Sequence, residues 1–230
     1  MARLLLIGGV IAATLLAAFE TRAEEVPAAI GRISYGRDPV PGSPICTGVL
    51  VAPDLVLTAG HCVRGAADDP QTIRFEAGWS GDQSAGRRHG VAVIIVGKGS
   101  APGLAGLVED VGLLVLDAAL PSTGFPPLPL SDPGTGPLNL IAFDRETPER
   151  PRQKAICRTL AKPEGLLALD CPVVSGNSGA PLLQETGGGL RVVAIIVASA
   201  RNGPVRSWAV LPSAEFRERI MTALPETQDQ

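Results

Sequence analysis

"CTGVLVAPDLVLTAGHC", Cys46 to Cys62, sets two strand-like runs either side of Pro53-Asp54 and ends them on a histidine beside a cysteine. Val, Leu and Thr favour a pleated, half-buried backbone, and a Pro-Asp pair marks a turn. The chain has only two histidines, and His61 is one of them. It is either a working base or a residue that happens to sit beside a structural cysteine, and the rest of the chain has to decide.

Outward from this stretch the pattern recurs. "TIRFEAGW", "VAVIIVG" and "DVGLLVLD" follow, then the proline-rich "PSTGFPPLPLSDPGTGP", Pro121 to Pro137. Beyond it come "LNLIAF", "RQKAICRTL", "GLLALDC", "APLLQE", "LRVVAIIVAS" and "RSWAVL". With 27 glycines and 21 prolines in 230 residues, the chain reads as short strands joined by turns. Helical spacing emerges only in "SAEFRERIMTAL", where Ser213 is a plausible N-cap and Phe216, Ile220, Met221 and Leu224 share a face. The expectation is an all-β chain of two similar units, 24–120 and 121–230, joined through the proline-rich passage and closed by a C-terminal helix. Periodicity alone does not separate barrels from sandwiches.

The first residues read as an export signal. Arg3 supplies the positive charge, Leu4 to Phe19 is an apolar stretch, and Thr21 and Ala23 fit a cleavage site before Glu24. The stretch is shorter than the ~20 residues a membrane span needs, which favours cleavage over an uncleaved anchor. Losing residues 1–23 removes two arginines and one glutamate and shifts the formal charge from -3 to about -4. Neither a nucleic-acid footprint nor a polybasic membrane patch is indicated. The mature chain is expected to be secreted or periplasmic, monomeric, and without stable membrane insertion.

Four cysteines suit that compartment. Three pairings are open, and the short local loops favour Cys46–Cys62 and Cys157–Cys171. A hairpin centred near Glu164 sets Cys157 opposite Cys171. Zinc is disfavoured, since there is no C-x-x-C pair and no histidine pair.

A base needs a nucleophile. "VSGNSGAP", Val174 to Pro181, places Ser178 among glycines that permit a tight turn with N–H groups converging on one small space. An ordinary Ser/Gly/Asn loop has the same composition. "EDVGLLVLD" offers Asp110 at the start of an apolar strand, with Glu109 and Asp117 as rivals that chemistry alone does not separate. A serine hydroxyl needs a base beside it, and the base needs a partner that fixes its tautomer. Histidine suits the role because its unperturbed pKa is about 6.5. His89, flanked by Arg87 and Arg88, reads as a loop or strand-edge residue.

Taken together, "LTAGHC", "DVGLLVL" and "GNSGAP", in the order His, Asp, Ser, resemble the signatures of the chymotrypsin/trypsin-like serine peptidase family. "CTGVLVAPDLVLTAGHC" also resembles that family's strand pair closed by a disulfide beside the histidine. The resemblance runs from about Ile30 to Leu224. It implies two antiparallel six-stranded β-barrels with the active site in the cleft between them. It further implies Ser178 as nucleophile, His61 as general base and then acid, and Asp110 as the orienting carboxylate. Backbone N–H groups of Gly176 and Ser178 would form the oxyanion hole, a protein or peptide would be the substrate, and no metal or cofactor would be needed. An α/β-hydrolase is excluded by chain order and by Ala180-Pro181 after the serine.

Two departures from the family matter. Asn177 stands where zymogen-activated members carry an aspartate that pairs with a new N-terminus, and the expected mature end, "EEVPAA", lacks their apolar start. Activity is therefore expected not to depend on that ion pair. In this the chain is more similar to bacterial secreted relatives, the glutamyl-endopeptidase-like group. The second departure is at the specificity pocket, expected around Pro172, Val197 and Ser199. Pro172 stands where trypsin-like members keep an aspartate, and Val192 to Ala200 lacks the histidine of glutamate-selective relatives. An apolar or small side chain before the scissile bond is favoured, while Arg201 keeps an acidic one open. The competing function is a catalytically silent binding module on the same fold. A protease-chaperone would add a peptide-binding domain.

Overall fold

A computed structural model describes residues 26–36, 38–80, 83–95, 101–214 and 216–218; the export-signal reading of residues 1–23 falls outside them. The first half contributes β1 (Ile30–Tyr35), β2 (Cys46–Ala52), β3 (Leu55–Ala59), β4 (Ile73–Ser80), β5 (Gln83–Ile95) and β6 (Val111–Leu116). They close into an antiparallel barrel in the order β1-β2-β3-β6-β5-β4. Pro53 and Asp54 turn β2 into β3, as the opening stretch suggests. β3 is buried along its whole length and β2 at all but Val51. One face of each fills the barrel and the other meets the second half, which explains runs that are apolar at consecutive positions.

The second half contributes β7 (Leu138–Asp144), β8 (Thr147–Cys157), β9 (Thr159–Ala161), β10 (Leu166–Leu169), β11 (Pro181–Thr186), β12 (Gly189–Ser199) and β13 (Ser207–Val210). The all-β architecture expected from sequence is present, and the second barrel differs from the first in being open. These strands form a seven-stranded sheet, β8-β7-β11-β12-β13-β10-β9, that does not close. Its outer strands β8 and β9 are joined through the single residue Arg158. At that end the seam is held by the chain itself and by the Cys157–Cys171 disulfide rather than by a hydrogen-bonded ladder.

The proline-rich passage is an ordered strap. The N–H groups of Leu120 and Leu128 donate to Pro53 O and Leu50 O at 2.8 and 2.9 Å, and Phe125 is buried in the first core. Leu130 then bridges to Val192 of β12. At the far end Ser213 caps the terminal helix, its Oγ accepting from Phe216 N–H at 3.1 Å. Phe216 is buried, and the guanidinium of Arg217 meets Asp132 at 2.5 Å. Ile220, Met221 and Leu224 lie outside the described residues.

A second tie between the halves is built on an ion pair inside the first barrel. Arg32 of β1 and Glu76 of β4 face each other across the ladder and pair at 2.6 Å, both buried. Arg32 also lies 4.7 Å from the centre of the Trp79 ring and donates to Pro148 O of β8. Arg87 satisfies the other carboxylate oxygen of Glu76 at 2.7 Å. A buried charge is tolerated only with such complete pairing.

Candidate active site

β3 ends at Ala59 and runs into a single helical turn, α1 (Gly60–Val63). The last pair of the β3–β6 ladder is Ala59 with Val111, so the next residues, Gly60 and Asp110, are set against each other. Gly60 N–H donates to Asp110 O at 3.0 Å. Asp110 itself follows α2 (Leu104–Val108), with its N–H on Leu107 O at 3.1 Å.

The carboxylate of Asp110 makes two contacts with His61. Oδ1 accepts the backbone N–H of His61 at 2.7 Å, and Oδ2 lies 2.6 Å from ring Nδ1. Asp110 is 9% exposed, so these bonds replace the water it has given up. The imidazole is more open, with 46% of the side chain exposed. With Nδ1 held on the carboxylate, Nε2 is the nitrogen left for proton exchange. The register thus selects Asp110 over its rivals. Asp117 is exposed at the far end of β6, and Glu109 faces a separate hollow beside Phe216. His89 is exposed on β5, its Nδ1 on Gln71 O at 2.9 Å.

Ser178 stands on a turn between Cys171 and β11. Gly176 has φ +99° and Gly179 φ +77°, conformations that side chains disfavour. Packing adds to that requirement. A Cβ on Gly179 would fall 2.1 Å from Thr58 Oγ1 and 2.8 Å from Ala59 N, so the turn lies directly on the strand that leads into His61. Thr47 N–H donates to Ser178 O at 2.9 Å, and Cys46 beside Thr47 is bonded to Cys62 beside His61. The His61 and Ser178 segments are therefore anchored to the same two residues. Among the described residues, no hydrogen bond joins the Ser178 hydroxyl to His61.

Two peptides of the turn are oriented by their carbonyls. Ser175 O accepts from Arg145 N–H at 2.9 Å, and Asn177 O accepts from Ala180 N–H at 2.9 Å. In a trans peptide the N–H points opposite to the C=O. The N–H groups of Gly176 and Ser178 consequently point away from those partners. Asn177 is buried, its Oδ1 accepting Val174 N–H at 2.9 Å and its Nδ2 donating to Phe143 O at 2.7 Å. The amide thus braces the turn using partners within the second half.

Beside Ser178 is a cleft of about 610 Å³, lined by Val173, Val174 and Ser175 on one side and Ile196 to Ser199 on the other. Of the three residues proposed from sequence for the specificity pocket, Val197 and Ser199 line this cleft, whereas Pro172 is exposed and does not. The neighbouring Cys171 is turned inward by its disulfide, and the chain enters the cleft wall only at Val173. Among the described residues, no charged side chain lines the cleft. Asp170, the nearest acid in sequence, is committed to Arg158. Backbone N–H and guanidinium bonds from Arg158, at 2.8 and 2.7 Å, hold its carboxyl below the ordinary carboxylate range.

One group of metal-ligating type exists among the described residues: Cys46, His61 and Cys62, with ligand atoms within 4.8 Å. Both sulfurs are in the disulfide, so neither is available as the thiolate a metal binds. Sequence reading did not anticipate Thr47, Phe143 or Arg145 as partners of the serine turn. Thr47 follows a cysteine that was itself singled out, and that adjacency was its one available signal.

A family model for the trypsin-like peptidase domain matches residues 46–195. No curated protein is matched by the sequence. Among solved structures, a Glu endopeptidase in complex with MPD superposes with a TM-score of 0.63 at 19% identity, over 85% of this chain and 90% of that one. The arrangement of a closed barrel, an open sheet and a terminal helix is thus the trypsin-like two-barrel fold. On the match over residues 46–195, the chain belongs to the trypsin-like peptidase family.

Proposed function

We propose that the chain is a serine endopeptidase acting outside the cytoplasm, with Ser178 as nucleophile, His61 as general base and Asp110 as its orienting carboxylate. His61 Nε2 takes the Ser178 proton as the hydroxyl attacks the scissile carbonyl, then delivers it to the leaving amine. Water resolves the acyl-enzyme by the same route. Gly176 and Ser178 N–H groups stabilise the developing oxyanion. The observation that carries this reading is the two-point grip of Asp110 on His61, which fixes the tautomer a serine base requires. Two disulfides are consistent with an oxidising compartment.

The cleft beside Ser178 carries serine hydroxyls and aliphatic groups with no countercharge, which favours a small or apolar residue before the scissile bond. The likeness to a Glu endopeptidase makes an acidic residue the alternative. Arg201 lies outside the cleft lining and does not supply a partner for one there.

The missing Ser178–His61 hydrogen bond favours a second reading, a binding module on a silent peptidase fold. Catalytic hydrogen bonds are often loose without substrate, so the two readings are separated by reactivity. A fluorophosphonate probe should label Ser178 in the folded, disulfide-intact protein. Labelling should vanish in Ser178→Ala and fall sharply in His61→Ala. Failure to label the wild-type protein leaves the binding module. A peptide library then reads the cleft preference.

A further inference from the structure

Thr47 is fully buried, and its hydroxyl and backbone N–H both bond across the junction between the two halves. Its Oγ1 donates to Gly176 O at 2.8 Å and accepts from Phe143 N–H at 3.0 Å. Its backbone N–H donates to Ser178 O at 2.9 Å, and its backbone O accepts from Thr58 Oγ1 at 2.8 Å. One residue of the first barrel therefore grips the carbonyls on both sides of Asn177, Gly176 O with its side chain and Ser178 O with its backbone N–H.

We propose that Thr47 is a positioning residue for the oxyanion hole. The inference rests on the acyl-transfer reading and adds to it the element that keeps the hole assembled. The N–H of Gly176 keeps its direction, opposite to Ser175 O, only while the peptides around it do not rotate, and Gly176, at φ +99°, resists rotation little by itself. Ser175 O is held from one side by Arg145 N–H. Gly176 O is held from the other by the Thr47 hydroxyl, which is fixed in turn by Phe143 N–H. The same Phe143 offers its carbonyl to Asn177 Nδ2. Thr47 and Asn177 thus clamp the turn between β2 and β7, a role for which no terminal ammonium is needed.

The test is Thr47→Val, which keeps the branched shape and both backbone bonds but removes the hydroxyl. With a fluorophosphonate probe, the limiting rate of Ser178 modification is expected to fall about ten- to a hundredfold, because the donors are loosened rather than removed. Half-saturation by the probe should stay within about twofold, since the cleft walls are untouched. Thr47→Ser, which restores the hydroxyl, should recover most of the rate. A purely structural role would lower the melting temperature without this split and without recovery in Ser. If Val does not fold, Thr47→Ala is compared with Thr47→Ser at low temperature on the same readout. A folded variant lacking the hydroxyl that labels at the wild-type rate overturns the clamp alone. Wild-type protein that does not label removes the clamp together with the hydrolase reading.

Discussion

The two sides of the candidate site are held in different ways. His61 takes its position from the first barrel alone. The β3–β6 register sets Gly60 against Asp110, and one carboxylate then fixes both backbone and ring of the next residue. Ser178 belongs to the second half, yet its turn hangs on Thr47, Thr58 and Ala59 of the first. The His61–Asp110 pair is thus a local product of strand pairing, whereas the position of Ser178, the proposed nucleophile, reports how the halves meet. Disturbances within the first barrel should act on proton transfer, and disturbances at the junction should act on the alignment of the serine turn.

The largest expected effect tests whether the two sides act as one unit. Ser178→Ala and His61→Ala should each remove on the order of 10⁶ in turnover, and the double variant should lose no more than either alone. Losses that instead multiply would mean the two residues act independently, and the comparison would fail. Next comes Asp110→Asn, which leaves the packing intact but offers ring Nδ1 the wrong tautomer partner. It should cost about 10⁴ in turnover while leaving the fold in place, as read by circular dichroism.

The disulfides sharpen the contrast. They span 16 and 14 residues, so removing either as a Cys→Ala pair should destabilise the protein similarly, by about 3 kcal/mol in denaturant melts. Their effects on activity should differ. Cys46–Cys62 joins the residue before Thr47 to the residue after His61, so losing it should slow turnover of the folded fraction several-fold. Cys157–Cys171 closes the seam of the open sheet and should leave folded-state turnover nearly unchanged. Equal activity losses per folded molecule would contradict the assignment of the junction to the first disulfide.

Sequence made some of this legible and hid the rest for identifiable reasons. The turn at Pro53-Asp54, the cap at Ser213 and the ordering of strands follow from local chemistry, which sequence records directly. On chemistry alone three acids competed for the histidine; the family resemblance pointed to Asp110, and the ladder register, a long-range quantity, is what brings it to the ring. The buried pairing of Arg32 with Glu76 has no sequence signal, because sequence does not reveal that Pro148 of the second half meets that face of the barrel. The proline-rich passage reads as a loose connection since it has no period, although Phe125 and Leu128 anchor it. The open second sheet escaped notice because a three-residue strand such as β9 leaves almost no pattern.

The smallest expected effect concerns the exposed pair at the outer end of the open sheet. Asp170 bonds the backbone and guanidinium of Arg158, whose side chain is 81% exposed, so the contact is largely solvated. Asp170→Asn should therefore cost under about 1 kcal/mol at neutral pH, as exposed pairs generally do. Because the folded state holds this carboxyl below its ordinary range, it favours the ionised form. The contribution should be complete above the unfolded carboxyl's pKa of about 3.9 and should fade as pH drops through the lower native value. Denaturant melts of wild type and variant should accordingly converge in acid. Hydrolytic turnover should not follow that convergence at any pH where both are folded, since Asp170 points to Arg158 and not into the cleft. A change in cleavage preference on Asp170→Asn would instead make this carboxylate part of the substrate pocket and break the division between the stabilising edge of the sheet and its working junction.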